Sequence, residues 1–205
     1  HPHVWVDDGF LGEWKNHLRA LTHAAASDAS HAVILQDDAM PVEDFDEAVR
    51  EAVSERPDDL ISLYVGTSRP REQQVLDAVA IAEKENTCWL KANTLLWGVG
   101  IIVPVSLIPA LLMQARGGPK LPYDQRLGRA NGLLGRDVYY TWPSLVDHHD
   151  IPTVVKGHSK VQPVRVAHRI GHPNYTEDAL VVEIDDPLVS SHQNGVLHSK
   201  RDRVY

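Results

Sequence analysis

The apolar positions of this chain alternate between two rhythms. "LGEWKNHLRALTHAA" (11–25) places Leu11, Trp14, Leu18 and Leu21 three or four residues apart, the period of a helix with one buried face. After a polar break at Asp28 to Ser30, "AVILQ" (32–36) is a continuous apolar run. It predicts a strand covered on both faces, as parallel strands are. "EDFDEAVREAVSE" (43–55) returns to helical spacing, with Phe45, Ala48, Val49, Ala52 and Val53 on one face. Acids crowd its start, where the helix dipole favours them.

The same reading gives a strand at "LISLYVG" (60–66) and a surface helix at "REQQVLDAVAIAEKEN" (71–86). "LLWGVGIIVP" (95–104) is a further strand. "SLIPALLMQA" (106–115) is a helix with Ser106 as candidate cap and Pro109 inside the first turn. "YDQRLGRANGLL" (123–134) is helical, "VYYTW" (138–142) a strand and "PSLVDHHD" (143–150) a loop. "HVWVDD" (3–8) reads as a short opening strand that ends in acids, and the pattern decays beyond Pro152. Strands alternating with helices predict an α/β fold.

Length changes this picture little: 205 residues suit one domain, or one domain with a tail, and a substantial core. Pro104, Pro109, Gly98 and Gly100 break the longest apolar run, so it is a core strand and helix rather than a bilayer span. The single Cys88 excludes an internal disulfide framework and fits a reducing, cytoplasmic setting. No signal-peptide pattern is visible, and the chain opens at His1 without an initiator Met, which leaves room for sequence upstream. A net charge of −8 disfavours non-specific binding to nucleic acid or anionic lipid. Lys, Arg and His nevertheless gather in "KGHSK", "RVAHRIGH" and "HSKRDRVY".

The chemistry begins at "HAVILQDDAMP" (31–41), where an apolar strand ends on two adjacent carboxylates, Asp37 and Asp38. Ligands of open α/β sheets gather at the carboxyl ends of strands. Carboxylate oxygens there suit Mg²⁺ or Mn²⁺, which take one or two carboxylates and complete their shell with substrate phosphates. A solvated acidic turn is the other reading of the dipeptide. A response-regulator receiver needs a phosphoacceptor Asp after a later strand, and "LISLYVGTS" has none. A dehalogenase-type phosphatase needs Asp-x-Asp, which Ala39 and Met40 deny.

"VILQDDAMP" resembles the "ILEDDA" signature of the lipooligosaccharide-type glycosyltransferases, the family that includes collagen galactosyltransferase-like enzymes. "TLLWGVGIIVPVSLIPALL", "LPYDQRL" and "YYTWPSLVDHHD" are similar to the family's later blocks, in the same order, over Ala32 to Asp150. Gln36 stands where the family has Glu. The first strand of such a fold, which helps to hold the nucleotide base, is missing or lies upstream of His1.

The resemblance implies a GT-A fold, a Rossmann-like mixed sheet flanked by helices, over residues 1–150. Residues 151–205 would form an irregular C-terminal extension packing on or capping the site. It further implies a metal-dependent glycosyltransferase, of inverting stereochemistry, using a nucleotide-diphosphate sugar such as a UDP-sugar with Mn²⁺ or Mg²⁺. Asp38 would be the direct metal ligand, Asp37 a second ligand or orienter, and His149 (of the pair His148–His149) a late imidazole ligand. Gln36, Asp37, Asp8 and Trp97 would contact the donor. Asp124, after a Pro-fixed turn, would be the general base, with helix capping as its plainer role. Arg165, His168, Arg169 and Lys160 would reach phosphates from a C-terminal flap.

The acceptor would be a glycan hydroxyl or a hydroxymethylated base in DNA, as in compact phage-type glycosyltransferases. A non-catalytic nucleotide- or sugar-binding module on the same fold is the alternative. A His-based zinc hydrolase is a third reading, although the twelve His form no HExxH pattern.

Overall fold

In a computed structural model of the chain, residues 3–7, 10–67, 72–116, 121–149, 165–175 and 181–184 are described. Five helices are present among them: α1 (Glu13–Ala25), α2 (Phe45–Glu55), α3 (Glu72–Glu85), α4 (Ile108–Ala115) and α5 (Tyr123–Leu133). The strands are β1 (His31–Leu35), β2 (Ala39–Pro41), β3 (Leu60–Ser62), β4 (Trp89–Ala92), β5 (Gly100–Pro104), β6 (Val138–Thr141), β7 (Val146–His148) and β8 (Val181–Ile184). The fold is α/β, compatible with a Rossmann-like architecture, and its six-stranded mixed sheet runs β1-β5-β3-β6-β4-β8. A separate ribbon pairs β2 with β7.

The centre of the sheet is the core. β5 and β3 are buried at every position, and Ile61, Ile101, Ile102 and Tyr140 are wholly enclosed. α4 packs between α1 and α5, while α3 lies against β4 and β8. α1 presents Leu21 to the core, with Trp14 and Leu18 packed beside it, as their helical spacing requires.

β1 departs from its apolar pattern. It is an edge strand, antiparallel to β5, and Val33 and Leu35 remain 40% and 37% exposed. Its run of apolar residues therefore reflects β-propensity and one covered face, not two. "HVWVDD" is no strand either: residues 3–7 run beside α1, where Asn16 Nδ2 donates to the Trp5 carbonyl (2.8 Å). Four short strands escaped the periodicity: β2 just after the acidic pair, β4 in "CWLKA", β7 in the expected loop and β8 beyond Pro152. Each has too few residues for a period to show, and each is fixed by its partner. β4 is held between β6 and β8, and Lys91 reaches Asp137 and Glu183 on the flanking segments (3.3 and 3.9 Å).

Helix starts also differ in detail from expectation. Ser106 lies in a 3₁₀ turn (Val105–Leu107) and gives α4 no side-chain cap, while Pro109 does fall in the first turn. α5 begins after Pro122 rather than at an Asp cap, which places Asp124 inside its first turn. Residues from beyond 150 take part in the main body. β8 completes the sheet, and residues 165–171 form a strap over the carboxyl ends of β3 and β6. In that strap Thr67 N donates to Val166 O, His168 N to Val65 O and Ser144 N to Arg169 O, each at 2.9 Å.

Gly128, in the middle of α5, tests this packing. A Cβ there would run into the Leu95 amide and meet Thr94 Oγ1 at 2.6 Å, whereas at Gly132 it would meet only the Asn93 carbonyl, at 3.4 Å. Gly to Ala in a helix interior ordinarily stabilises by about 1 kcal/mol. Gly132→Ala should follow that rule in urea unfolding. Gly128→Ala should reverse it, costing about 1–3 kcal/mol as an overpacked site; equal midpoints for the two variants would contradict the packing described.

Candidate functional site

β1, β3 and β6 run in one direction, so their carboxyl ends, the β5 entry and the β2–β7 ribbon meet at one end of the sheet. Asp38 lies there. Leaving β1, Gln36 N donates to the Val99 carbonyl (2.9 Å), and Ala39 N closes a turn on the Gln36 carbonyl (3.2 Å). β2 then pairs with β7 so that Ala39 faces His148, and His149 N donates to the Asp38 carbonyl (2.8 Å). This backbone register delivers the Asp38 carboxylate to the His148 imidazole, with Oδ2 3.1 Å from Nε2.

The pair is sheltered, with side chains 19% (Asp38) and 5% (His148) exposed. Asp38 Oδ1 and His148 Nδ1 are buried and have no hydrogen-bond partner among the described residues. Buried polar atoms are almost always satisfied, so two orphans on one contact mark a place where a further ligand atom belongs. The Tyr64 ring stands 6.3 Å from that of His148 and meets Trp97 edge to face at 5.9 Å; Trp97 meets Tyr140 in the same way at 6.1 Å. These aromatics back the imidazole and keep water from behind it.

The expected residues divide accordingly. Asp38 is where the sequence placed it. The imidazole that meets it belongs to His148, not His149, whose side chain is exposed and which contributes its backbone amide. Alternation along β7 decides this, because neighbouring side chains leave a strand on opposite faces. Asp37 is exposed beside Asp38, and Gln36 is half-buried with its backbone engaged on both sides. Trp97 is only 8% exposed and is a core residue of the aromatic wall rather than an open donor-binding face. Asp8 and Lys160 lie outside the described residues. Gly98 and Gly100 are closely approached by the protein itself. The Tyr123 hydroxyl donates to the Gly98 carbonyl, and a Cβ on Gly100 would lie 3.0 Å from Leu35 and 3.2 Å from Val146.

Asp124 stands beside this centre. Its Oδ1 accepts from Gln125 N (2.7 Å), and burial pushes its carboxyl above the usual carboxylate range despite that bond. Next to it, burial raises the Tyr123 phenol far above its ordinary value, and the charges of Asp124, Glu13 and Asp38 add to the shift. Glu13 is raised by burial and by Asp124. Three carboxylates therefore act on one phenol, on the side of the molecule where Asp38 meets His148. Sequence reasoning passed over Glu13, His17 and Tyr123, because their meeting depends on α1 packing against α5.

The chain matches no family model. No curated protein matches it either.

The residues fit a divalent cation. One carboxylate oxygen and one imidazole nitrogen suit Mn²⁺, and the orphan Asp38 Oδ1 supplies a further oxygen. No group of three or more His, Cys, Asp or Glu converges among the described residues. Mg²⁺ and Mn²⁺ sites complete their shells with water and phosphate oxygens, so two protein ligands suffice.

Because burial raises the folded-state value of Asp124, the native state binds that proton more tightly than the unfolded chain. Stability on its account falls as pH rises through the carboxylate range and stays lowered above it. Asp124→Asn should therefore unfold at higher urea than the wild type at neutral pH, with the gain fading toward about pH 4. An Asn variant that is the weaker one at neutral pH would show that the helix-start bonds outweigh burial.

Proposed function

We propose that this protein is a metal-dependent glycosyltransferase of GT-A type, moving a sugar from a nucleotide-diphosphate donor to an acceptor hydroxyl. The observation that carries the reading is the sheltered Asp38–His148 contact with an orphan atom on each partner, at the carboxyl end of the sheet. The ordered resemblance from Ala32 to Asp150 supports it. Asp38 and His148 would hold Mn²⁺ or Mg²⁺, with exposed Asp37 beside them. A divalent cation bound there neutralises the charge that gathers on the departing diphosphate.

The remaining work belongs to the chain itself. Tyr64, Trp97 and Tyr140 exclude water behind His148. The 165–171 strap, tied to β7 by the Ala167 amide on Asp147 Oδ1 (2.7 Å), carries Arg165, His168 and Arg169 toward the same end of the sheet. Cationic side chains there suit donor phosphates. Asp124 remains a candidate base, its raised affinity for a proton matching that role. The carboxylates around Tyr123 favour an uncharged, hydroxyl-rich acceptor over a DNA phosphodiester. No helix among the described residues is long and apolar enough to cross a membrane.

Calorimetry with UDP-sugars and Mn²⁺ tests the assignment. Asp38→Ala should abolish metal-dependent binding. His148→Ala should weaken it by about 10–100-fold, and His149→Ala by less than about twofold. Undiminished binding in Asp38→Ala, or a larger loss from His149 than from His148, would refute the site.

A further inference from the structure

The far face of the β2–β7 ribbon holds another acid. Side chains alternate along β7, so half-buried Asp147 leaves the strand on the face opposite the His148 imidazole. Its Oδ1 accepts two backbone amides, those of His148 (2.8 Å) and Ala167 (2.7 Å). One oxygen thus joins the strand that carries the imidazole to the strap that crosses the sheet end.

The backbone pairings aim both amides at that oxygen. In the ribbon, Val42 N donates to the Leu145 carbonyl and His149 N to the Asp38 carbonyl. The bonded positions of this segment are therefore 145, 147 and 149, and the His148 amide faces away from β2. Along the strap, Thr67 N donates to the Val166 carbonyl and His168 N to the Val65 carbonyl, so the Ala167 amide faces away from residues 65–67. Neither amide has a partner in its own ladder, and Asp147 supplies the acceptor to both.

We propose that Asp147 is the positioning residue of the candidate metal site. By clamping the docked strap to β7 it fixes the backbone from which the His148 imidazole meets Asp38, so the affinity for a cation depends on the strap. The proposal rests on the metal reading of Asp38 and His148. Asp147 acts through its neighbour and is not itself a ligand.

The bonds form one continuous path. The strap is held to Val65 and Thr67 at the β3 exit and to Ser144 before β7. The Ala167–Asp147 bond carries that hold onto β7, the His148 amide brings it to the residue bearing the imidazole, and His149 N passes it to the Asp38 carbonyl. The path ends where it began to matter, with Asp38 Oδ2 3.1 Å from His148 Nε2. A carboxylate is the strong form of acceptor for such a clamp, because its hydrogen bonds are shorter and about twice as strong as neutral ones. Ligand pairs need this support, since they work only when held to within about 0.5 Å of their geometry.

The test is binding of Mn²⁺ alone, read from loss of the free-ion electron paramagnetic resonance signal, with urea unfolding of each variant alongside. Asp147→Ala should bind Mn²⁺ about tenfold more weakly than the wild type, as losing a group that supports a metal ligand does. Asp147→Asn loses the same charge but keeps an acceptor oxygen, so it should stay within about threefold. That pair separates the clamp from a plain effect of charge on a cation. Ala167→Pro removes the strap's amide, changes no charge and spares the bonds to residues 65–67. It should weaken binding too, and the double variant should be no weaker than Asp147→Ala, because both changes break one clamp. The proposal is overturned if Asp147→Ala stays within about threefold of the wild type, if Asp147→Asn falls as far as Asp147→Ala, or if the two losses multiply. The metal reading survives each of those results. A wild type that takes up no Mn²⁺ removes the metal reading, and the proposal with it. Should Asp147→Ala not fold, Ala167→Pro decides: a loss beyond about threefold upholds the proposal and a smaller one overturns it.

Discussion

Three consecutive carbonyls hold this structure together. Gly98 accepts from the Tyr123 hydroxyl, Val99 from the Gln36 amide and Gly100 from the Leu63 amide, so α5, the exit of β1 and the exit of β3 all close on one short segment. The segment must be nearly bare for that to happen. A Cβ on Gly98 would collide with the Tyr123 ring, and one on Gly100 would press on Leu35 and Val146. Immediately afterwards the chain becomes β5, buried from Gly100 to Pro104 and paired on both edges. Backbone bonds at such a junction are shielded from water, so leaving any one unmade would be costly.

The candidate site follows from this junction. Anchoring Gln36 to Val99 sets where Asp38 emerges, and the β2–β7 ribbon sets which imidazole it meets. Anchoring Tyr123 to Gly98 brings the start of α5, with Asp124, to the same end of the sheet and gives His17 a surface to stack on. Burial holds the Asp124 carboxyl above its ordinary range, and the charge of Asp124 adds to the upward shift of Glu13.

The segment beyond residue 150 is built into this arrangement. β8 extends the sheet beside β4, and the 165–171 strap bonds to Val65, Thr67, Ser144 and Asp147. Ser144 serves twice, its hydroxyl accepting from Val65 N (2.9 Å) and its backbone gripping Arg169 and Gly171. The backbone of residues 166–171 is thereby fixed against the carboxyl ends of β3 and β6 and against β7.

The sequence by itself determined the five helices, the strands with a clear apolar run and the acidic end of β1, because these depend on periodicity and local charge within a few residues. The resemblance picked out the late imidazole pair but chose His149, where the structure brings His148 to Asp38. Only the tertiary structure made that choice, through the strand alternation imposed by β2 on a segment whose own residues read as a loop. Tertiary structure alone likewise placed β1 at an edge, turned Trp97 inward, and brought His17 of the first helix onto Tyr123 of the last. The reason is common to all of these: each is a contact between residues far apart in the chain, and its energy exists only once the sheet has assembled.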